Sequence, residues 1–328
     1  SLRYKWTQLV GASLGSLGNT DSIKIDAAPG IYKFEVTVTD DSSAFDTDTI
    51  DVRIGQPTLS IVEYVFVKRD NNQINNVVFK ENDAAALAGK NSQIIIKIPT
   101  NITEVEFDIN QNSITVNKES ISFNESSSNA NELYFNVSNS QEFLPNGFQA
   151  TIDSIKLKTN EDVAKFSLEL SLQDEGLEFE KDSVLDHTNN NIRVGSPQLD
   201  FAADQIFVLN DGTTLNLDTL TYKESDVAGV GLQNRGIDII LPEGNFAWAD
   251  ENPGGIGDGY SGFSYNGDTL RINLNRNLDA GESFSLTSLK LSAAEVQSGL
   301  SLSLMVNDLG SNDDSTNFTV RVGQPELK

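Results

Sequence analysis

VRIGQP, residues 52–57, returns as IRVGSP at 192–197 and as VRVGQP at 320–325. Each copy closes an alternating apolar stretch: Ile50, Val52 and Ile54, then Ile192 and Val194, then Phe318, Val320 and Val322. Each then runs into a glycine and, two residues later, a proline. Glycine lets the chain turn, and proline fixes φ and withdraws a ladder donor. Each phrase therefore reads as the last strand of one domain followed by a short, stiff joint. The joint residues are Arg53, Gly55 and Pro57, then Arg193, Gly195 and Pro197, then Arg321, Gly323 and Pro325. PTLS, PQLD and PELK follow the three glycines at the same remove, and strands are expected to begin again there.

The segments between joints are copies of one another. Both carry an aromatic-Lys-Glu-x-Asp segment (Phe79–Asp83 and Tyr222–Asp226), then a strand ending in Ile98-Pro99 or Leu241-Pro242. Later, NELYFNVS (131–138) matches DTLRINLN (268–275), and the run from Ile152 matches the run from Leu286. A self-similar period of this length signals an array of one repeated unit. The expected domains are 1–55, 56–195 and 196–323, with 324–328 opening another.

The dominant period is two. Tyr32, Phe34, Val36 and Val38 alternate with polar residues, as do Phe166, Leu168, Leu170 and Leu172, and Leu300, Leu302, Leu304 and Val306. Strict alternation gives one buried and one wet face, the pattern of antiparallel sheets, and Gly/Asn/Asp/Ser clusters supply the turns. No long helical pattern exists; Asp83–Ala88 is expected to form at most one helical turn. The expected fold is all-β, with tandem antiparallel β-sandwich (Ig-like) domains in a linear array.

Composition narrows the chemistry. The 328 residues carry a net charge of −25, which opposes binding to nucleic acid or anionic membranes. No apolar run is long enough to cross a bilayer. There is no cysteine and one histidine, His187, in the polar DHTNNN loop. Thiol nucleophiles, disulfides, Cys/His zinc sites and Ser-His-Asp triads are therefore all excluded. No carboxylate pair stands out among 48 acids, so the chain is not expected to be an enzyme.

Residues 4–55 resemble the second half of a polycystic-kidney-disease-type (PKD) immunoglobulin-like domain. The matching features are Tyr4-Lys5-Trp6, the Pro29-Gly30-Ile31-Tyr32 turn and the Val38-Thr39-Asp40 strand end. The KESDVAGV…GIDIILPEGNF segment resembles sandwich repeats of bacterial surface-layer proteins. The tandem plan as a whole resembles large bacterial surface adhesins and fibres, including gliding and hook-fibre proteins of the Bacteroidota type. The opening at Ser1, inside an expected strand, is read as a piece of something longer, either continuous chain or a sandwich completed by strands from neighbouring subunits.

Four sets of side chains are candidates for chemistry. Acidic hairpins before the final strands offer oxygens for Ca²⁺, the one cofactor expected, through Asp40, Asp41, Asp46, Asp48, Asp308, Asp313 and Asp314. Plain turn composition explains the same residues. The loop 248–265 holds Trp248, Tyr260, Phe263 and Tyr265, which either stack on sugars or a partner or fold inward. Asp-Ser/Thr-aliphatic triplets resemble the O-glycosylation signal of Bacteroidota-type secreted proteins, with acceptors Ser22, Thr49, Ser154, Ser183, Thr219 and Thr269. The alternative is a common way of entering a strand from a turn. The joint arginines either pair with acids across the joint or guard a strand edge. The resulting expectation is a rigid, adhesive segment of an extracellular or cell-surface fibre. Its partners would be other copies of itself, neighbouring domains or surface glycans. The alternative is a carbohydrate-binding module of a secreted protein.

Overall fold

The structure, a computed structural model, describes residues 1–66, 72–109, 113–139, 141–174, 184–186, 192–201, 204–209, 214–242, 246–249, 253–254, 259–294, 296–300, 302–307 and 320–324. Among these residues there are strands and connecting segments but no α-helix, so the fold is all-β as expected. The chain forms two compact units. One comprises Ser1–Val62, Gln73–Leu157 and Ser167–Asn190, and the other Glu63–Asn72, Lys158–Phe166 and Asn191–Lys328.

The N-terminal meander is a three-stranded sheet of β1 (Arg3–Val10), β2 (Gly30–Thr39) and β3 (Phe45–Ile54). β2 pairs with β3 over its whole length, from Gly30 opposite Ile54 to Thr39 opposite Phe45. Alternation puts Tyr32 and Phe34 on one face, where each is 1% exposed. The Tyr32 hydroxyl donates to the Ala28 carbonyl at 2.8 Å. Gly11 closes under this ring: a Cβ there would lie 2.3 Å from Tyr32 Cδ1. The described residues 11–29 form no strand. They are tied to β1 by Trp6 Nε1, which donates to the Thr20 carbonyl at 3.0 Å, and by the Gln8 amide, which bonds Ala12 and Leu14.

The first repeat contains four sheets. One runs β10 (Thr115–Val116), β13 (Gln149–Asp153), β7 (Val77–Lys80), β4 (Thr58–Ser60). The next runs β11 (Ile121–Asn124), β12 (Glu132–Val137), β8 (Gln93–Lys97), β16 (Glu169–Gln173). The others are β6 (Asn72–Ile74), β14 (Ile155–Thr159), β9 (Val105–Phe107), and β15 (Val163–Phe166), β17 (Ile192–Val194), β5 (Tyr64–Phe66).

The second repeat has the same plan. Its sheets are β18 (Gln198–Phe201), β21 (Leu220–Lys223), β26 (Ser283–Leu286), and β24 (Tyr260–Asn266), β25 (Thr269–Leu274), β22 (Gly236–Ile240), β29 (Ser303–Val306). To these are added β20 (Thr214–Asn216), β27 (Lys290–Ala293), β23 (Phe246–Trp248), and β28 (Gln297–Leu300), β30 (Val320–Gly323), β19 (Gln205–Val208). Among the described residues only β10 lacks a counterpart.

Sheets of the second repeat surround one core. Leu220, Tyr222 and Leu286 meet Ile237, Ile239, Leu270, Ile272 and Leu304, with Leu215, Leu291 and Trp248 closing the side. Each large apolar side chain so buried stabilises the fold by about 1.5–3 kcal/mol. The central strands β8 and β22 are buried on both faces, so their sequences read as apolar runs rather than alternations. Asp238 interrupts the run in β22. It is 7% exposed and faces Arg271 on β25, whose guanidinium lies 3.2 Å from its carboxylate.

The antiparallel sandwich expectation holds, with one addition: the last strand of each repeat also has a parallel neighbour. β17 runs parallel to β5, from Ile192 opposite Tyr64 to Val194 opposite Phe66. β30 likewise runs parallel to β19. Alternation records which faces of a strand are buried and carries no information about the direction of the strand beside it. Residues 83–88 form a loop rather than a helical turn, because their backbone N–H groups are claimed by side chains.

Candidate functional site

The repeated aromatic-Lys-Glu-x-Asp segment builds the same object twice. β7 delivers Glu81, 1% exposed, whose two oxygens accept hydrogen bonds from the backbone N–H of Leu87 (3.1 Å) and Ala88 (2.7 Å). β21 delivers Glu224, also 1% exposed, which accepts from Val230 (2.9 Å) and Gly231 (2.8 Å). Tyr222 adds its hydroxyl to Glu224 at 2.8 Å. One residue on, Asn82 Oδ1 accepts from Ala84 and Ala85, and Ser225 Oγ accepts from Val227 and Ala228. Lys80 pairs with Asp83 at 3.1 Å and Lys223 with Asp226 at 2.9 Å on the exposed side. Each carboxylate thus pins a loop of seven residues back onto the strand that carries it.

The turn facing each loop is repeated as well. Gly147 N–H donates to the Asn82 carbonyl at 3.0 Å, and Gly281 N–H donates to the Ser225 carbonyl at 2.7 Å. These glycines have φ of 68° and 72°, the left-handed region where a side chain is strained. Burial is the first cause that raises the Glu81 and Glu224 carboxyls above their ordinary value; the backbone donors pull both back down. The nearby joint arginine, Arg53 for Glu81 and Arg193 for Glu224, acts in the same downward sense.

The joint glycines pack onto these loops. A Cβ on Gly55 would lie 2.3 Å from the Ala85 carbonyl oxygen and 3.2 Å from Leu87 Cγ. A Cβ on Gly195 would lie 2.7 Å from the Ala228 carbonyl oxygen and from Val230 Cγ1. Ala85 and Ala228 are each four residues beyond the anchoring glutamate. Pro57 and Pro197 are buried. Beyond the first joint, Leu59 N–H donates to the buried Asp186 carboxylate at 2.8 Å. At the second, Gly195 N–H donates to the Phe66 carbonyl at 2.9 Å, and Ser196 Oγ donates to Asp162 at 2.8 Å.

Among the described residues the arginines form no direct ion pair across the joint. Arg53 lays its guanidinium 3.8 Å above the Phe143 ring and donates to the Ala86 carbonyl at 3.4 Å. Arg193 lies 3.3 Å from Glu63, and Arg321 lies 3.8 Å from Asp204. Both acids belong to the arginine's own repeat. The parallel register explains the choice: Arg193 stands opposite Val65 and Arg321 opposite Ile206, so residues 63 and 204, two positions earlier, share the face. The acid across the joint, Glu224, feels Arg193 through the field alone.

The third joint has its strand in place. β30 pairs with β19 to Gly323, whose carbonyl accepts from Leu209 N–H at 2.8 Å. Arg321 is exposed, and among the described residues no heavy atom lies within 4 Å of a Cβ placed on Gly323. Pro325 lies outside the described residues.

The other candidates are placed as follows. Asp40 accepts from the N–H groups of Ser42 and Ala44 in its own turn, while Asp46 and Asp48 each accept from the next residue's N–H. Asp41 pairs with the Ser1 amino and hydroxyl groups. Among the described residues no three His, Cys, Asp or Glu groups gather as a cation site would require. Asp308, Asp313, Asp314 and His187 lie outside them. Trp248 is 6% exposed in the core, and its indole N–H donates to the Ile239 carbonyl at 3.3 Å. Tyr260, Phe263 and Tyr265 are half-buried against the same core, with the first two rings 5.1 Å apart. Ser22 and Thr49 are exposed, and Ser154, Thr219 and Thr269 are half-buried at or next to strand starts; Ser183 lies outside the described residues.

Gly55 and Gly195 stood out in the sequence as members of a repeated phrase. Glu81 and Glu224 were visible only as markers of the repeat. Their signal was an acid kept at the same place in two copies, two residues after an aromatic that points inward. Gly147 and Gly281 gave no local signal.

No protein-family profile matches the chain, and no curated protein matches it. Among solved structures, a protocadherin gammaB7 EC3-6 structure is 12% identical with a TM-score of 0.21, and the match covers 98% of this chain and 66% of that one. A protein described as membrane anchored, from Corynebacterium diphtheriae, is 8% identical with a TM-score of 0.25, covering 92% and 98%. A type II cohesin dyad from a scaffoldin of Acetivibrio cellulolyticus is 8% identical with a TM-score of 0.21, covering 80% and 97%. At these scores nothing about this chain follows from them, and the all-β assignment rests on its own strands.

Proposed function

We propose that this chain is an architectural and adhesive segment of an extracellular surface fibre. In it, each sandwich repeat is locked against the strand that precedes it. The observation that carries this reading is the twice-repeated contact of a joint glycine with a carbonyl on a glutamate-pinned loop, Gly55 on Ala85 and Gly195 on Ala228. A flexible tether would need neither a buried carboxylate nor a position where only hydrogen fits. A device that appears twice with the same atoms holds each pinned loop on the strand end that packs against it, which suits a stiff fibre. The strongly acidic composition keeps such a polymer soluble and its copies apart. No described helix is long and apolar enough to cross a membrane.

The test is Gly55→Val and Gly195→Val. Each forces a branched side chain into a backbone carbonyl and is expected to speed amide exchange in the facing loop, 84–88 or 227–231, at least tenfold, with the strands of each core unchanged. Negative-stain images of native material should show filaments or tapered rods. Compact separate particles, with loops indifferent to both substitutions, would remove the proposal.

A further inference from the structure

The two pinned loops differ at one reactive position. The residue before Gly147 is Asn146, whereas the residue before its counterpart Gly281 is Ala280. Asn146 is exposed, and its amide clasps the loop that Glu81 pins: Oδ1 accepts from Ala86 N–H at 3.0 Å and Nδ2 donates to the Ala84 carbonyl at 2.9 Å. Asparagine is a chemically labile residue, and most so before glycine, whose missing Cβ leaves the next backbone nitrogen unobstructed on its way to the side-chain carbonyl carbon. In the folded chain neither group is free to react. Gly147 N–H donates to the Asn82 carbonyl at 3.0 Å, and the Asn146 amide is held by Ala84 and Ala86. Each of these restraints comes from residues 82–86, so the reaction needs that segment to move away.

We propose that Asn146 is a self-modification site gated by the Glu81-pinned loop, and that its conversion releases the loop for good. Hydroxide takes the Gly147 amide proton, and the nitrogen attacks Asn146 Cγ. An N–C bond forms, the Cγ–Nδ2 bond breaks, and ammonia leaves with a proton taken from water, closing a cyclic imide. Water then opens either imide carbonyl, leaving aspartate or its isomer with the chain routed through the side-chain carbonyl. The sum is one water consumed and one ammonia released, with no oxidant or cofactor. Both products carry a carboxylate and no N–H where the amide stood, so the Ala84 carbonyl loses its donor. The new charge falls in a chain already at −25, beside Asp83, whose Oδ1 lies 2.6 Å from a Cβ placed on Gly147. The isomer also lengthens the backbone of a turn whose glycine sits at φ 68°. Ala280 has no amide to lose, so the second loop is immune.

The experiment holds the full chain at mildly alkaline pH and follows the peptide containing Asn146 for the mass gain of amide-to-acid conversion. Conversion is expected to be about tenfold slower, or more, in the folded chain than in the same chain unfolded in urea, and Glu81→Gln, which weakens the pin, should recover most of that difference. Gly55→Val, which crowds the Ala85 carbonyl, opens the same loop by a second route should Glu81→Gln not fold. Asn266-Gly267, at the tip of the β24–β25 hairpin, is the in-chain clock, and neither substitution should change its rate. Asn146→Asp should speed amide exchange in loop 84–88 about tenfold and leave loop 227–231 unchanged. Conversion as fast folded as unfolded, or equally slow in the parent and both loosened chains, overturns the gate. Exchange in Asn146→Asp equal to the parent's overturns the release.

Discussion

A carboxylate buried to 1% exposure is a large liability unless its oxygens are satisfied, and Glu224 shows how the site turns this to use. Two backbone N–H groups and the Tyr222 hydroxyl converge on it, so the acid organises a loop that has no regular structure of its own. Removing it leaves those buried donors without acceptors. Glu224→Ala is expected to cost about 2–4 kcal/mol in urea unfolding, and Tyr222→Phe about 1 kcal/mol. Glu282 behaves oppositely with pH. The Arg276 guanidinium holds its carboxyl below the ordinary 4.5, helped by Asp279 N–H. A carboxyl depressed in the folded state contributes stability above its unfolded pKa, and loses it as pH falls through the lowered folded value. Arg276→Gln should therefore lower stability at neutral pH, flatten the acid limb and converge with the parent in strong acid. For Glu224, raised by burial, the sign reverses: its contribution is full below 4.5 and declines as pH rises through the raised value.

At the scale of elements, alternation tells inside from outside. Ile239 on β22 is fully buried, while Ile206 on β19 is 73% exposed. Ile239→Ala is expected to cost about 2–5 kcal/mol, against about 0.5 or less for Ile206→Ala, by thermal or urea unfolding. This is also where the sequence was most legible. β2, β16 and β29 fall on the alternations of Tyr32–Val38, Phe166–Leu172 and Leu300–Val306. The repeat seen in words such as NELYFNVS and DTLRINLN is the equivalence of β12 and β25. Illegible were the features set by distant chain. The parallel neighbour of β17 is β5, more than a hundred residues earlier. Loop 83–88 looked helical because the acceptors that dismantle a helix there, Glu81 and Asn146, are a strand end and a remote turn. Trp248 reads as a loop aromatic in a row of glycines, and only the sheet partner β27 shows that it lies in the core.

On the scale of the whole molecule, the two tryptophans report separately on the two compact units, Trp6 from β1 and Trp248 from β23. Fluorescence of Trp6→Phe and Trp248→Phe proteins should resolve both transitions. Gly55→Val should shift the Trp6 signal by about 1–3 kcal/mol and Gly195→Val the Trp248 signal, each leaving the other in place. The parallel pairing of β17 with β5, and of β30 with β19, has a mechanical meaning. Parallel strands have their outer ends at opposite edges of the ladder, so tension drawn along the backbone slides one past the other. Every rung is then strained at once, whereas an antiparallel hairpin pulled from its open end would unzip rung by rung. A repeat built this way yields late and abruptly under load.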